Sequence, residues 1–521
     1  MLSNISYCTI LPMSLSWKNT LIVLLAIVIL GTGIRLYNLD NNSFVADEFL
    51  DINSSYGYTQ TGEWKAWDFN FGKLSEVNKN VPRDERATIY KWQVAQVFHF
   101  LAPTERNARL ISVLWGAISI GVIFWSTFVF TRKKEIGLIA SFLFAFSISG
   151  IIFDRTLRMY AMFLPMYLVA ATCTFLALEK TYQGKRMLLK MMWDKGGLNL
   201  PYTLLAVLFF ILSLLTHQLS GTLVFFVAVY LLVRAIQEFL SGKGLRNKYV
   251  FFFSLGAILI FVVALFFSDF FRSYAAGLIF FDNNYGYVKY FFREYYHPFV
   301  GLSLVAFGSW WLATRESLKK ESLFLTLSLI VPLVMAIWLW RRNMGAQYIS
   351  FAQSFLIILS SIGIFGLWRI WCERFAYSTK QSLIALVFLI LLVPNFGYFF
   401  LENNTFHETS TGDNPNYRKV FTYFKKNHLE SDVLVTRNMR NYYFADAKVP
   451  VYDLGDEISK TKLSQTEVEK LMAEYQTGWI ILSDNDYDYV AKGMKEYLAK
   501  NLTKVSNDQV RGSIDVYTWG R

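Results

Sequence analysis

Apolar residues in this chain gather into long blocks instead of alternating with polar ones. Blocks able to cross a hydrocarbon core of about 30 Å fall at roughly 17–37, 107–131, 135–153, 160–179, 201–216, 218–238, 249–268, 297–313, 322–340, 346–367 and 381–401, with short polar connections between most of them. The pattern predicts about eleven transmembrane helices. The first block exceeds a signal-peptide core and has no small-residue cleavage site behind it, so it reads as a retained helix. Near residue 402 the period changes. Strand-like runs ("DVLVT", "WIILS", "SIDVYTW") then alternate with helical ones ("YRKVFTYFKKN", "TEVEKLMAEY", "YVAKGMKEYLAKN"), as in a small α/β domain. Two parts are expected: a membrane domain over 1–401, with a long first loop at 38–106, and an α/β domain over 402–521.

Composition agrees: 54% of residues are hydrophobic and only 17% charged. The net charge of +12 suggests a nucleic-acid partner only until the cations are placed. Many lie in alternate connections: Arg132, Lys133 and Lys134; Lys180 to Lys195; Lys243, Arg246 and Lys248; Arg315, Lys319 and Lys320; Arg369, Arg374 and Lys380. By the positive-inside rule these are cytoplasmic, as is the N-terminus, and the C-terminal domain is extracytoplasmic. Membrane lipids are the expected surroundings, and no nucleic-acid partner is expected. Cys8, Cys173 and Cys372 are too dispersed for a disulfide framework or a metal cluster.

The opposite connections carry the candidate chemistry. Asp47 and Glu48 follow the first helix within "FVADEFLD" and read as either an ordinary acidic spot or a base at the membrane face. Arg155, Arg158, Arg341 and Arg342 stand at outer helix ends, against the topogenic bias. They either snorkel to headgroups or form a cationic pocket suited to a phosphate or pyrophosphate. His217 lies in the turn "LLTHQLSG", where a capping role is one reading. Tyr160 and Tyr348 lie near the arginines, as phosphate contacts or interfacial anchors. Arg109 opens the second helix and is suited to pair with a first-loop carboxylate. "RATIYKWQVAQVFHFL", with Trp92, Phe98 and His99, reads as an amphipathic helix on the membrane surface. The acids Asp51, Glu63, Asp68, Glu76, Asp84 and Glu85 read mostly as a solvated face.

In order, these are an Asp-Glu pair outside the first helix, then interfacial helices, then "ERNARLISVLWG", then "DRTLRMYAMFLPMYLVAA". That order resembles the GT-C superfamily of membrane glycosyltransferases, in the branch of the protein O-mannosyltransferases and lipid A aminoarabinose transferases. The resemblance implies a polytopic α-helical membrane protein with a small C-terminal extracytoplasmic α/β domain, in the plasma (inner) membrane of a prokaryote. It implies transfer of a hexosyl or pentosyl group from a polyprenyl-phosphate-linked donor to a lipid, glycan or protein hydroxyl in the cell envelope, by inverting single displacement. Asp47 then matches the family base, with Glu48 in support. Arg155, Arg158, Tyr160, His217, Tyr348 and Arg341 or Arg342 bind the donor phosphate. No cofactor is certain, and a divalent cation (magnesium or manganese) beside Asp47 is left open. The alternative is a lipid-linked sugar flippase using the same cationic cavity. The lack of inverted repeats or matched broken helices argues against it.

Overall fold

The computed structural model describes residues 15–45, 47–75, 86–244, 247–266, 268–269, 272, 284–340, 345–375, 379–401, 404–406, 416–454, 462–506, 510 and 513–521. Contacts divide the chain into two compact units, one made of 1–36, 112–154 and 159–398, the other of 37–111, 155–158 and 399–521. The expected border at 401/402 is therefore not where contacts draw it: the first loop belongs with the C-terminal segment.

The first unit is a helical bundle. Among the described residues seven helices are long and apolar enough to cross a membrane: Trp17–Leu36, Glu105–Thr131, Tyr160–Glu179, Gln218–Gly242, Lys248–Phe266, Glu316–Trp338 and Ser350–Phe375. Two helix pairs pass the same test only when taken together and are sharply bent, Lys134–Ala145 with Ile148–Asp154 (61°) and Met187–Gly196 with Leu200–Thr216 (82°). The eighth and eleventh expected blocks form the shorter helices Pro298–Ala313 and Lys380–Leu392. By length and composition the described residues thus hold seven spans, or nine if each bent pair is one; the 16 residues of Pro298–Ala313 rise only about 24 Å, short of a core of about 30 Å.

Buried aromatics knit the bundle. The Phe324 ring meets those of Phe130, Phe175, Phe226 and Tyr230 at centroid distances of 5.8, 5.1, 5.4 and 5.1 Å, the range where edge-to-face pairs are favourable. Helices Pro298–Ala313 and Gln353–Phe375 touch backbone to backbone. A Cβ on Gly308 would stand 2.1 Å from the Leu359 carbonyl oxygen, and one on Gly363 2.3 Å from that of Leu304. Only glycine allows that approach, the small-residue packing typical of helices in lipid. Lys248–Phe266 buries only Tyr249, so its apolar girth suits lipid rather than water.

The break between Ala145 and Ile148 is a solved problem of backbone hydrogen bonding. A broken helix leaves carbonyls on one side and N–H groups on the other without partners. The buried Arg35 guanidinium donates to the carbonyls of Ala145 (3.0 Å) and Phe144 (3.3 Å), and its Nε to Asp154 Oδ2 (2.7 Å). The Glu294 carboxylate accepts the Ile148 and Ser149 N–H groups at 2.6 and 2.8 Å. Each charge thus sits where the helix end of opposite polarity lies. At another bundle position Glu179 accepts Tyr230 and Tyr249 hydroxyls (3.0 and 2.8 Å) and the Lys320 ammonium (2.7 Å), joining four helices.

The second unit holds helices Glu48–Thr61 and Thr88–Phe98 and a short hairpin, β1 (Trp67–Asp68) with β2 (Lys73–Leu74). It also holds a five-stranded sheet of β3 (Asp432–Thr436), β4 (Val451–Asp453), β5 (Thr477–Ser483), β6 (Thr503–Lys504) and β7 (Ile514–Trp519). The order is β4-β3-β5-β7-β6. β4, β3 and β5 run parallel, with Asp432 facing Thr477, and β7 is antiparallel to β5 and β6. Helices Tyr417–Asn427, Gln465–Glu474 and Met494–Asn501 accompany it. The core includes Val433, Val435, Ile480, Leu482, Val468 and Leu498. The runs read from the sequence are present, though "YVAKGMKEYLAKN" is helical only from Met494. β4 and β6 are too short, at three and two residues, to show a period.

First loop and C-terminal segment share one aromatic core. Phe49 meets Tyr417 and Tyr443 at 5.4 and 5.6 Å, and Phe44 meets Tyr442 at 5.1 Å. Asn53 Nδ2 donates to the Met439 carbonyl (2.9 Å), and Asn70 exchanges two bonds with the Val449 backbone (2.8 and 3.2 Å).

Candidate active site

Asp47 immediately precedes helix Glu48–Thr61, and its side chain does not cap that helix. The carboxylate is half exposed, at 51%, and pairs with Arg158 Nη2 at 2.9 Å. Arg158 Nη1 donates to Asp51 Oδ2 at 2.8 Å. Asp47 and Asp51 stand four residues apart, on one face of a helical turn, so they bracket the guanidinium from the same side. Asp51 is buried, which corrects its reading as solvated. Burial pushes its carboxyl above the usual range, outweighing the opposing charges of Arg158 and Lys91. Lys91 is also buried, donating to Ser54 Oγ at 3.1 Å. Asp68 is likewise buried, with its carboxyl pushed up by desolvation.

Glu48 lies about 100° round the helix from Asp47 and points inward. Its oxygens take Arg109 Nε (3.0 Å), Arg109 Nη2 (2.9 Å), the Leu157 N–H (2.7 Å) and the Val45 N–H (3.1 Å). Arg109 spends its remaining donors on the carbonyls of Leu39, Asn42 and Ser43, so all five are used. Glu48 therefore fastens the segment carrying Arg158, its oxygens taken up by four protein donors. Arg109 pairs structurally, as expected. Close by, Glu105 accepts Arg418 Nε (2.9 Å) and the Tyr443 hydroxyl (3.0 Å). Burial and the Glu105 charge push that phenol well above its usual range.

Arg155, expected to bind phosphate, is committed to the chain itself. It donates to the carbonyls of Tyr37, Asn38 (2.8 Å) and Thr405 (3.1 Å) and stacks 4.4 Å over the Phe406 ring. Arg158 is thus the expected outer cation that the second unit holds beside an exposed carboxylate.

Three other expected residues lie in the bundle unit. Tyr160 is buried with its ring 5.3 Å from that of His217. His217 Nδ1 accepts the Leu219 N–H at 3.0 Å, which places the proton of the neutral ring on Nε2. It caps the turn, as one reading expected. Tyr348 is half-buried in the turn Ala346–Tyr348. Arg341 and Arg342 lie outside the described residues, as do Glu76, Asp84 and Glu85. Tyr160 also lines a small cleft with Phe144, Phe153, Asp154 and Gln353. Gln353 Nε2 is buried there without a hydrogen-bond partner.

Among the described residues no three His, Cys, Asp or Glu side chains converge, and Asp47 and Asp51 already share a guanidinium. Sequence reasoning missed Asp51, Lys91, Arg35 and Gln353. Only Asp51 carried a local signal, its four-residue spacing from Asp47.

No family model and no curated protein sequence matches the chain. Among solved structures, it is similar to an oligosaccharyltransferase of Archaeoglobus fulgidus in the apo form, with a TM-score of 0.58 and 11% identity over 90% of this chain and 70% of that one. It is similar to ArnT from Cupriavidus metallidurans in the apo state, again with a TM-score of 0.58 and 11% identity, over 96% of this chain and 98% of that one. Other structures hold the archaeal enzyme, AglB, in complex with an inhibitory peptide and a dolichol-phosphate, and ArnT bound to undecaprenyl phosphate. The bundle of apolar helices, the small C-terminal sheet and these likenesses agree: the chain is an integral membrane protein with the fold of the GT-C glycosyltransferases.

Proposed function

We propose that the protein transfers a sugar from a polyprenyl-phosphate-linked donor to an acceptor hydroxyl at the outer face of a prokaryotic plasma (inner) membrane, with the N-terminus cytoplasmic. One observation carries the reading: the half-exposed Asp47 carboxylate stands 2.9 Å from Arg158, a base and a cation side by side. The lipid phosphates bound by ArnT and AglB support the donor class. Asp47 takes the proton of the acceptor hydroxyl while the oxygen lone pair forms the bond to the anomeric carbon. The bond from that carbon to the phosphate oxygen breaks on the opposite face, its electron pair leaving with the polyprenyl phosphate, so the configuration inverts. The Arg158 guanidinium offsets the charge that builds on the departing phosphate. Phosphate leaves as a stable anion, so the reaction needs no second carboxylic acid. Glu48 and Arg109 hold the Arg158 segment in register.

The test is release of labelled sugar from a panel of polyprenyl-phosphate donors by purified protein in detergent, with envelope extract as acceptor. Asp47→Asn is expected to bind donor and to turn over about 10²–10⁴-fold more slowly, and the parent product carries the inverted anomer. Retention of configuration, or an Asp47→Asn variant within threefold of the parent by the order of a minor effect, overturns the mechanism. Donor crossing liposome membranes without consumption replaces it with the flippase reading.

A further inference from the structure

The ten-residue helix Met187–Gly196 turns sharply away from the transmembrane helix that follows it. Gly197, at a φ of 66°, closes it by donating its N–H to the Trp193 carbonyl (2.7 Å), and the axis then bends by 82° into Leu200–Thr216. Asn199 fixes that corner, its N–H bonded to the Ala177 carbonyl (2.9 Å) and its Nδ2 to that of Lys180 (2.8 Å). A helix at 82° to a transmembrane span runs nearly in the membrane plane.

Its side chains suit that place. No residue of it is buried. Met187, Leu188 and Met191 are 85, 63 and 42% exposed and lie within about 100° of arc on one side. Leu189 and Trp193 lie on the other side, half-buried, with Lys248 Nζ 5.2 Å from the Trp193 ring. Lys185 and Arg186 precede the helix, Lys190 stands about 60° round from Met187, and Lys195 ends the exposed side a turn beyond Met191, against the single acid Asp194. An apolar face with cations at its ends and along one edge matches the boundary between acyl chains and anionic headgroups. An exposed stripe of three large apolar residues has no such match in water.

We propose that Met187–Gly196 is an interfacial helix that seats Met187, Leu188 and Met191 among acyl chains and holds anionic lipid on Lys185, Arg186, Lys190 and Lys195. The inference is independent of the reaction assigned above and is tested without it. Hydrogen exchange of backbone amides 187–196 is measured on the full chain in nanodiscs of phosphatidylcholine alone and of phosphatidylcholine with phosphatidylglycerol. The anionic discs are expected to slow exchange by roughly fivefold for each cation engaged, and 0.5 M salt to cancel most of the gain, its screening length being only about 4 Å. Replacing the four cations with Gln should abolish the lipid difference. Replacing Met187, Leu188 and Met191 with Ser should raise exchange in both disc types. Thermal midpoints of both variants within about 2 °C of the parent establish that the bundle is folded, by the scale of a change under 1 kcal/mol. Exchange indifferent to headgroup charge overturns the lipid assignment. Protection that instead depends on protein concentration in micelles overturns it in favour of a second copy of the chain.

Discussion

Removing Arg109 should unfold the second unit before the rest. Its guanidinium and the Glu48 carboxylate are 4 and 2% exposed and meet at 2.9 Å, with Arg109 Nε on the second Glu48 oxygen at 3.0 Å. Arg109→Met leaves a carboxylate with no cation beside it, and truncating one side of a buried pair costs about 3–5 kcal/mol. The unit comprises about 200 residues, for which each kcal/mol moves the midpoint by about 2–4 °C. The expected drop is therefore roughly 6–20 °C. It is read by following the exchange of amides 48–61 and 432–436 on the intact protein through a thermal ramp. The double variant Arg109→Met/Glu48→Leu removes the stranded charge and should recover at least half of the loss. A drop under about 2 °C for the single variant, or strict additivity in the double one, refutes the account, because a coupled buried pair is non-additive.

Other outcomes follow from the same geometry. Asp51 has its carboxyl raised above 3.8 by burial, so the folded state binds more protons than the unfolded one and stability falls as pH rises from about 4. Asp51→Asn should flatten that fall in a series of thermal midpoints up to about pH 7, and parallel curves would exclude it. Gly308→Ala drives a methyl group against the Leu359 carbonyl and should cost about 1–3 kcal/mol, seen as lower detergent-extracted yield and midpoint. Glu179→Ala strands Tyr230, Tyr249 and Lys320 and should destabilise by about 3 kcal/mol, whereas Glu179→Gln, which keeps an acceptor oxygen, should lose less. The comparison is a midpoint measurement on both variants.

The blocks and the runs of the C-terminal segment were legible because each has a period a single stretch can display. Helix Glu48–Thr61 was not, since "EFLDINSSYGYTQT" is rich in residues that favour caps and turns. Packing of Phe49 on Tyr417 and Tyr443 supplies what local propensity lacks. Of the candidate site, Asp47 and Arg158 could be read as types in outward positions, though nothing local announced that they meet. Arg155 and Arg158 look alike in "DRTLR", yet one is chained to three carbonyls and the other faces two carboxylates. That difference is set by residues some 100 or more positions away, such as Asp51 and Thr405. Arg35 lies within the first apolar block, and only the broken helix beside it shows why an arginine stands there.

The second unit is assembled from three stretches of chain, and this sets a timetable. The Phe44 N–H is bonded to a tyrosine hydroxyl 399 positions later. At about 5–20 residues per second, the acidic helix is made some 20–80 s before the aromatic residues that complete its core. During that interval Phe44, Phe49 and Ile52 are without the partners that bury them, while the bundle is being inserted. A ribosome stalled before residue 417 would therefore leave a nearly complete set of membrane helices with Asp47 lacking the core that positions it. Completion of the second unit thus waits on the last quarter of translation.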